Sequence, residues 1–263
     1  MGVVNLTPDS FSDGGRYLDT ADAIGHARRL IADGADSLDI GAESTRPGAE
    51  PVAAAEELDR MVPVIAAIRA QSAIPISIDT MKPEVARAAV AAGATLWNDV
   101  TALRWSKDSL PLAAELGCEV VLMHMQGEPR TMQAAPAYDD VVGEVSAFLI
   151  ERAETAMAAG VARDRIWLDP GIGFGKTGQH SLTLLGHLDR IVALGFPVLL
   201  GASRKSFLGK IDRKATSADD RLGGSLAAAL AGAAAGVAAV RVHDVRETVQ
   251  ALAVRAAIAA AVP

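Results

Sequence analysis

The sequence predicts a single α/β domain over residues 1–263, a (β/α)8 or TIM barrel, on three observations. Eight short and nearly uninterrupted apolar runs recur along the chain. Almost every run stops at a polar residue, and helical patterns fill the intervals. Continuous apolar runs mark parallel strands buried on both faces. Their alternation with helices implies right-handed crossovers on one parallel sheet. Polar groups gathered at the C-terminal ends of the strands build the active face of such a barrel.

In order, the runs are 2–4 before Asn5, 38–40 before Gly41 and Glu43, and 74–78 before Asp79. Then come 95–97 before Asn98, 120–123 before His124 and 166–168 before Asp169. The last are 197–200 before Gly201 and Ser203, and 237–242, interrupted by Arg241 and followed by His243. The first helix is expected over 21–32, capped by Thr20, with Ala23, Ala27, Leu30 and Ile31 as an inward stripe. Helices are expected next over 54–70 and over 83–92, where Pro83 suits a first turn and Gly93 an end. The remaining helical patterns cover 109–116, 139–159 (stopping at Gly160), 181–194, 219–235 and 246–261. Two connections, 6–16 and 42–51, are long and rich in Gly, Pro, Ser and Asp. Loops of that length in a compact domain are more often functional lids than idle links.

The 263 residues match one barrel of about 250. Aromatics are only 4% of the chain while half of it is hydrophobic, so Ala, Val, Leu and Ile must fill the core. A net charge of -7 argues against a general nucleic-acid surface. The uncharged stretch 223–240 is mostly Ala and Gly and contains a helix followed by a strand, so it is not read as a membrane span. With one cysteine, Cys118, and no signal segment, the chain is expected in the cytoplasm. No base accompanies Cys118, which reads as an inert buried thiol.

Several residues point to chemistry. Asp169, at the end of a buried run, either accepts backbone N–H groups from the glycines after it or binds a ligand with two adjacent N–H donors. Asp79 and Asn98 end neighbouring runs and reach the same central space. Two carboxylates and an amide suit a flat, nitrogen-rich heterocycle. GIGFGKT is not a P-loop, since the G-x-x-x-x-G-K spacing is one residue short and Pro170 stands where the first glycine belongs. Gln179 and His180 also precede the helix expected at Ser181, and Gly171, Gly173 and Gly175 do not make a dinucleotide fingerprint.

Arg204 and Lys205 in SRKS sit at the catalytic rim, where anion or carbonyl binding is the better reading than a solvated pair. Arg241 and His243 alternate with Val240 and Val242, so they share one side of the last strand. The loops after strands seven and eight are the customary phosphate site of this fold, and the pair can bind a diphosphate. Asn5 alone is a weak metal signal, but beside a diphosphate it suits Mg2+. His26, His180 and His187 read as solvent-facing, His124 as either site wall or structural hydrogen bonder. Met123 and Met125 line the pocket or pack in the core.

In order along the chain, MGVVNLTPDSFSDGG, DIGAESTRPGAEPV, SIDT, NDVT, VLMHMQG, DPGIGFGKT, GASRKSF and RVHDV resemble the dihydropteroate synthases, a pterin-binding enzyme family. The resemblance implies a (β/α)8 barrel that condenses 6-hydroxymethyl-7,8-dihydropterin diphosphate with p-aminobenzoate, in folate biosynthesis. It assigns Asp79, Asn98, Asp169 and Lys205 to the pterin, and Asn5 to Mg2+ beside the diphosphate. It gives Thr45, Arg241 and His243 to the diphosphate, and Phe11, Arg46, Pro47 and Ser206 to p-aminobenzoate. Asp13 is placed near the reacting centre, so Asp13, Lys205, Arg241 and His243 form the expected catalytic set. It further implies a homodimer and inhibition by sulfonamides, which mimic p-aminobenzoate. The competing readings are a pterin-dependent methyltransferase and a non-catalytic pterin binder.

Overall fold

The computed structural model describes residues 1–6, 15–43, 51–128 and 130–261, with 15–19 as backbone only. Its strands are β1 (Gly2–Asn5), β2 (Leu38–Gly41), β3 (Ile76–Asp79), β4 (Leu96–Asp99), β5 (Glu119–Met123), β6 (Ile166–Asp169), β7 (Leu199–Leu200) and β8 (Ala239–Val240). β1 to β6 form one parallel sheet in sequence order, and β7 pairs with β8. Single parallel bridges, Leu168 to Val198 and Gly2 to Val242, join the two groups at both edges. The eight strands thereby close into a ring.

Around the ring run α1 (Gly15–Ala32), α2 (Ala54–Arg69), α3 (Pro83–Ala91), α4 (Ser109–Leu116) and α5 (Val141–Ala158). They are followed by α6 (Gly178–Gly186), α7 (Leu188–Val192), α8 (Ser206–Ile211), α9 (Leu222–Ala235) and α10 (Val245–Ala260). Successive strand residues point to opposite faces. Ile40, Ile78, Trp97, Leu122 and Leu168 pack with helix residues such as Ile65, Val85 and Leu149 in the main core. The alternate residues Leu96, Val121 and Leu199 form a small separate cluster inside the ring. Above it, Met81, Val100, Met123, Met125 and Met132 pack with Phe174 at the C-terminal end of the strands. Met123 and Met125 thus belong to an apolar wall beside the rim, apart from the main core.

Several expected boundaries move. α1 begins at Gly15, so Thr20 lies inside the helix instead of capping it. The helix expected over 181–194 starts at Gly178 and breaks at His187 into α6 and α7. Its early start has a local cause: the Thr177 hydroxyl accepts the His180 N–H at 3.1 Å, and the His180 ring accepts the Thr177 N–H at 3.3 Å. No residues therefore separate GIGFGKT from its helix. β7 and β8 are two residues each, shorter than their apolar runs, and α8 had no predicted counterpart. Among the described residues, no helix is long and apolar enough to cross a membrane.

Candidate active site

Strand register sets the site. Asn5 pairs with Gly41, Gly41 with Asp79, and Asp79 with Asn98, so these positions lie side by side at the C-terminal end of β1 to β4. Asp39, two residues before Gly41, points the same way and is fully buried. Arg241 follows β8 and reaches across the ring. Its Nε lies 2.5 Å from Asp39 Oδ2, and its Nη2 donates to Asp79 Oδ2 at 2.9 Å. Asn98 Nδ2 is 3.4 Å from Asp39 Oδ2, a long contact.

Asp39 stands nearer the guanidinium than Asp79 does, at 2.5 Å against 2.9 Å. Burial pushes Asp79 up to about 7, with the nearby Asp39 charge adding to the rise and Arg241 opposing it. Burial works against the Arg241 charge as well, but Asp39 and Asp79 outweigh it and raise its pKa.

Asp169 ends β6 and is 6% exposed. Its Oδ1 accepts the Gly171 N–H at 2.7 Å. The structural and the ligand-binding readings of Asp169 are therefore compatible, since one oxygen is used internally and Oδ2 is not bonded to Gly171. Burial raises its pKa, while Gly171, Lys205, Lys176 and Arg241 all favour the anion. Gly171 has φ of 65°, and an added Cβ would stand 1.9 Å from the His124 carbonyl oxygen. That contact explains why glycine follows Pro170. Beyond it, Lys205 Nζ lies 3.9 Å from the centre of the Phe174 ring, a cation–π arrangement at the mouth of the site.

The rim after β7 and β8 is bound together by polar contacts. Ser203 Oγ lies 3.0 Å from His243 Nδ1 and accepts the His243 backbone N–H at 3.3 Å. The hydroxyl hydrogen is then free to donate to Nδ1, which leaves Nε2 as the N–H donor of the ring. Burial, with the Arg241 and Arg204 charges, lowers His243 to about 4, so the ring is a neutral donor. Arg204 adopts φ of 58° and is paired with Asp244 at 2.6 Å and Asp219 at 2.5 Å. The sequence had put Arg204 with Lys205 as an anion binder. Instead, its turn sends the guanidinium outward to two aspartates and ties the β7 loop to the β8 loop. Ser206 is exposed at the first position of α8.

The structure thus gathers Asn5, Asp79, Asn98, Asp169, Lys205, Ser206, Arg241 and His243 at one end of the ring. Phe11, Asp13, Thr45, Arg46 and Pro47 lie outside the described residues. Two contributors escaped sequence reasoning. Asp39 was absorbed into an apolar run, although a lone carboxylate inside a buried strand is itself a signal. Lys176 was weighed only as part of a phosphate loop, yet it is 3% exposed, with Nζ 2.8 Å from His124 Nδ1.

The other histidines divide. His124 is a structural partner of Lys176, and burial with the Lys176 charge lowers it to about 3. His26 is half-buried, with Nε2 3.2 Å from the Val3 carbonyl oxygen, and His180 lies edge-on to Tyr138 within α6, so neither is simply solvent-facing. His187 is exposed, as expected. Cys118 is buried, which raises its thiol pKa and makes it inert.

For a metal, no group of three or more His, Cys, Asp or Glu side chains is suitably placed among the described residues. Asn5 supplies one neutral oxygen donor, while Asp39 and Asp79 are engaged by Arg241. That donor set fits an ion that takes most of its ligands from substrate phosphates and water, which is the habit of Mg2+.

Comparison with known proteins shows the family. The profile of the family described as pterin binding enzyme matches residues 1–243. The dihydropteroate synthase of Escherichia coli strain K12 is 47% identical over 252 residues, covering 96% of this chain and 88% of the relative. The Xanthomonas albilineans dihydropteroate synthase solved with 4-aminobenzoic acid superposes with a TM-score of 0.93 at 51% identity, covering 100% of this chain and 93% of that one. Solved with 7,8-dihydropteroate, it gives 0.90 at 49% identity, covering 100% and 94%. The Yersinia pestis dihydropteroate synthase in a sulfonamide drug complex gives 0.93 at 43% identity, covering 99% and 94%. This chain belongs to the pterin-binding enzymes, among the dihydropteroate synthases.

Proposed function

We propose that the rim formed by Asp79, Asn98, Asp169 and Lys205 holds the pterin head, while Arg241 and His243 receive its diphosphate. The enzyme is a transferase of folate biosynthesis. It joins p-aminobenzoate to the methylene carbon of 6-hydroxymethyl-7,8-dihydropterin diphosphate, releasing 7,8-dihydropteroate and pyrophosphate. The observation that carries the site reading is the buried carboxylate Asp169, with one oxygen held by Gly171, on the same rim as Asp79, Asn98 and the Arg241 guanidinium.

Asp169 accepts adjacent N–H donors of the heterocycle through the oxygen not taken by Gly171. Asn98 offers both a donor and an acceptor to the ring edge. Lys205, over Phe174, closes the mouth on a ring face. At the outer side, the His243 Nε2–H donates to a phosphate oxygen, and Arg241 contributes the donors that Asp39 and Asp79 leave free. Ser206, with Phe11, Arg46 and Pro47, receives p-aminobenzoate, and Thr45 joins the diphosphate contacts.

The carbon–oxygen bond breaks first, and its electron pair leaves with the diphosphate. The methylene cation is shared with the pterin ring, where carboxylates such as Asp13 favour it. The arylamine nitrogen then forms the new bond to carbon and loses its proton to solvent or to the departing pyrophosphate. Donors fixed before the reaction stabilise the leaving charge by several kcal/mol in a water-poor site, on the order of 3 for one donor. Mg2+ held at Asn5 would act as a Lewis acid on the leaving group.

Sulfonamides, as mimics of p-aminobenzoate, inhibit by competing for its pocket. A homodimer is part of the reading, supported by Val254 and Ile258, which are 54% and 64% exposed on α10. A cytoplasmic location is supported by the unpaired buried thiol of Cys118.

The test is pyrophosphate release by the purified chain. Release that requires the dihydropterin diphosphate, p-aminobenzoate and Mg2+ together is expected. Pterin binding without release would favour the non-catalytic reading, and methyl transfer from a methylated pterin would favour the methyltransferase.

A further inference from the structure

Lys176 is nearly inaccessible, and every group its ammonium meets is an acceptor. Its Nζ lies 2.8 Å from His124 Nδ1, 3.2 Å from the His124 carbonyl oxygen and 3.0 Å from the Phe174 carbonyl oxygen. Three acceptors match the three protons of an ammonium, which has no acceptor capacity of its own. Burial pulls its pKa down to about 7, with the Asp169 charge opposing that fall and Lys205 adding to it. His124, neutral and accepting at Nδ1, carries its proton on Nε2. A buried charge is costly even when acceptors meet its protons, so packing alone does not account for Lys176.

The acceptors show what it joins. His124 continues β5, and Phe174 belongs to the loop from Gly171 to Gly175 that follows Asp169. The loop is pressed on residues 124–126. A Cβ on Gly171 would meet the His124 carbonyl oxygen at 1.9 Å, and one on Gly175 would meet the Gln126 carbonyl oxygen at 2.3 Å. Tyr138 Oη donates to the Gly175 carbonyl at 2.7 Å, and Gln133 Nε2 donates to that of Gly173. The same loop supplies the Gly171 N–H that holds Asp169 and the Phe174 ring beneath Lys205. Both groups assigned to the pterin from this side therefore depend on one loop, and the Lys176 ammonium fastens it to the end of β5.

We infer that Lys176 is a positioning residue for pterin binding. It locks the 171–175 loop to the end of β5, which orients Asp169 through Gly171 and Lys205 through Phe174, and it supplies a buried counter-charge to Asp169. Lys176 touches no substrate. It acts on the pterin half of the site and leaves the p-aminobenzoate half alone. The inference rests on the assignment of Asp169 and Lys205 to the pterin.

The experiment measures KM for each substrate, by pyrophosphate release, in wild type, Lys176→Met, His124→Ala and Asp169→Ala, with thermal melts of all four. Lys176→Met is expected to raise the KM for the pterin diphosphate by about 10- to 100-fold, the usual cost of losing a group that orients a binding side chain. The KM for p-aminobenzoate should hold. His124→Ala removes one acceptor of the clamp and should move the pterin KM in the same direction by less, which provides the reading if Lys176→Met does not fold. An unchanged pterin KM in the folded variants, or an equal rise for both substrates, would overturn the inference. If Asp169→Ala also left the pterin KM unchanged, the pocket assignment itself would fail. An effect of Asp169→Ala without one of Lys176→Met would sink the role of Lys176 alone.

Discussion

Replacing Asp39 by Asn tests the least visible part of the site. Asp39 is fully buried and lies 2.5 Å from Arg241 Nε, and Arg241 is itself 21% exposed. Removing one partner of a buried ion pair costs about 3–5 kcal/mol, because the other charge is left uncompensated. Here the loss is partly offset in two ways. Asp79 remains 2.9 Å from Arg241 Nη2, and removing the Asp39 charge relieves the repulsion that helps push Asp79 up. The expected destabilisation is therefore at the low end, about 3 kcal/mol. A domain with a total stability of about 5–15 kcal/mol still folds after such a loss.

Urea denaturation should show a lower midpoint at an unchanged slope. Turnover should fall further than stability predicts, on the order of 100-fold, because the guanidinium loses one of the two carboxylates that aim it. An unchanged midpoint together with unchanged turnover would refute the claim that Asp39 aims Arg241.

Two further outcomes follow from single contacts. Gly171→Ala should destabilise the protein by about 1–3 kcal/mol from its left-handed backbone alone, with the clash against His124 adding to that, and should weaken pterin binding; a melt and titration matching wild type would contradict it. His124 should make the fold acid-sensitive. Its folded pKa of about 3 lies below its unfolded value of about 6.5, so the unfolded chain binds the proton more readily. The stability it contributes is complete above that unfolded value and is lost as pH falls toward 3, by at most about 1.4 kcal/mol per pH unit. His243, lowered to about 4, acts in the same sense, whereas the raised Asp79 and Asp99 act in the opposite one. The measurable quantity is thus the difference between wild type and His124→Gln. The variant should lose less stability between pH 7 and 4, in approximate terms set by one proton, and parallel melting curves would contradict this.

Much of the architecture was legible because buried parallel strands carry their own signature. The runs ending at Asp79, Asn98, His124 and Asp169 appear as β3 to β6 within a residue or two. The polar residues at those ends mark a site by position alone, without any family likeness. What stayed hidden depends on partners distant in sequence. Asp39 pairs with a residue 202 positions away, and Lys176 with one 52 positions away. No periodicity announces such pairings.

Arg204 and Lys205 illustrate a different limit. They are adjacent and chemically alike, yet the left-handed backbone of Arg204 turns one cation to Asp244 and Asp219 while the other lies over Phe174. Side-chain direction at a turn is set by φ, which neighbouring residue types do not specify. The break between α6 and α7 and the two-residue strands β7 and β8 escaped for a similar reason. The apolar runs 197–200 and 237–242 begin before the two-residue pairing of β7 with β8, and composition does not mark where that pairing starts.

Isothermal titration of the dihydropterin diphosphate against wild type and Asp169→Ala measures most directly where the pterin head lies. Binding to the wild type, with heat lost in a variant that still melts cooperatively, is the predicted result. Equal affinity in the two proteins would contradict it.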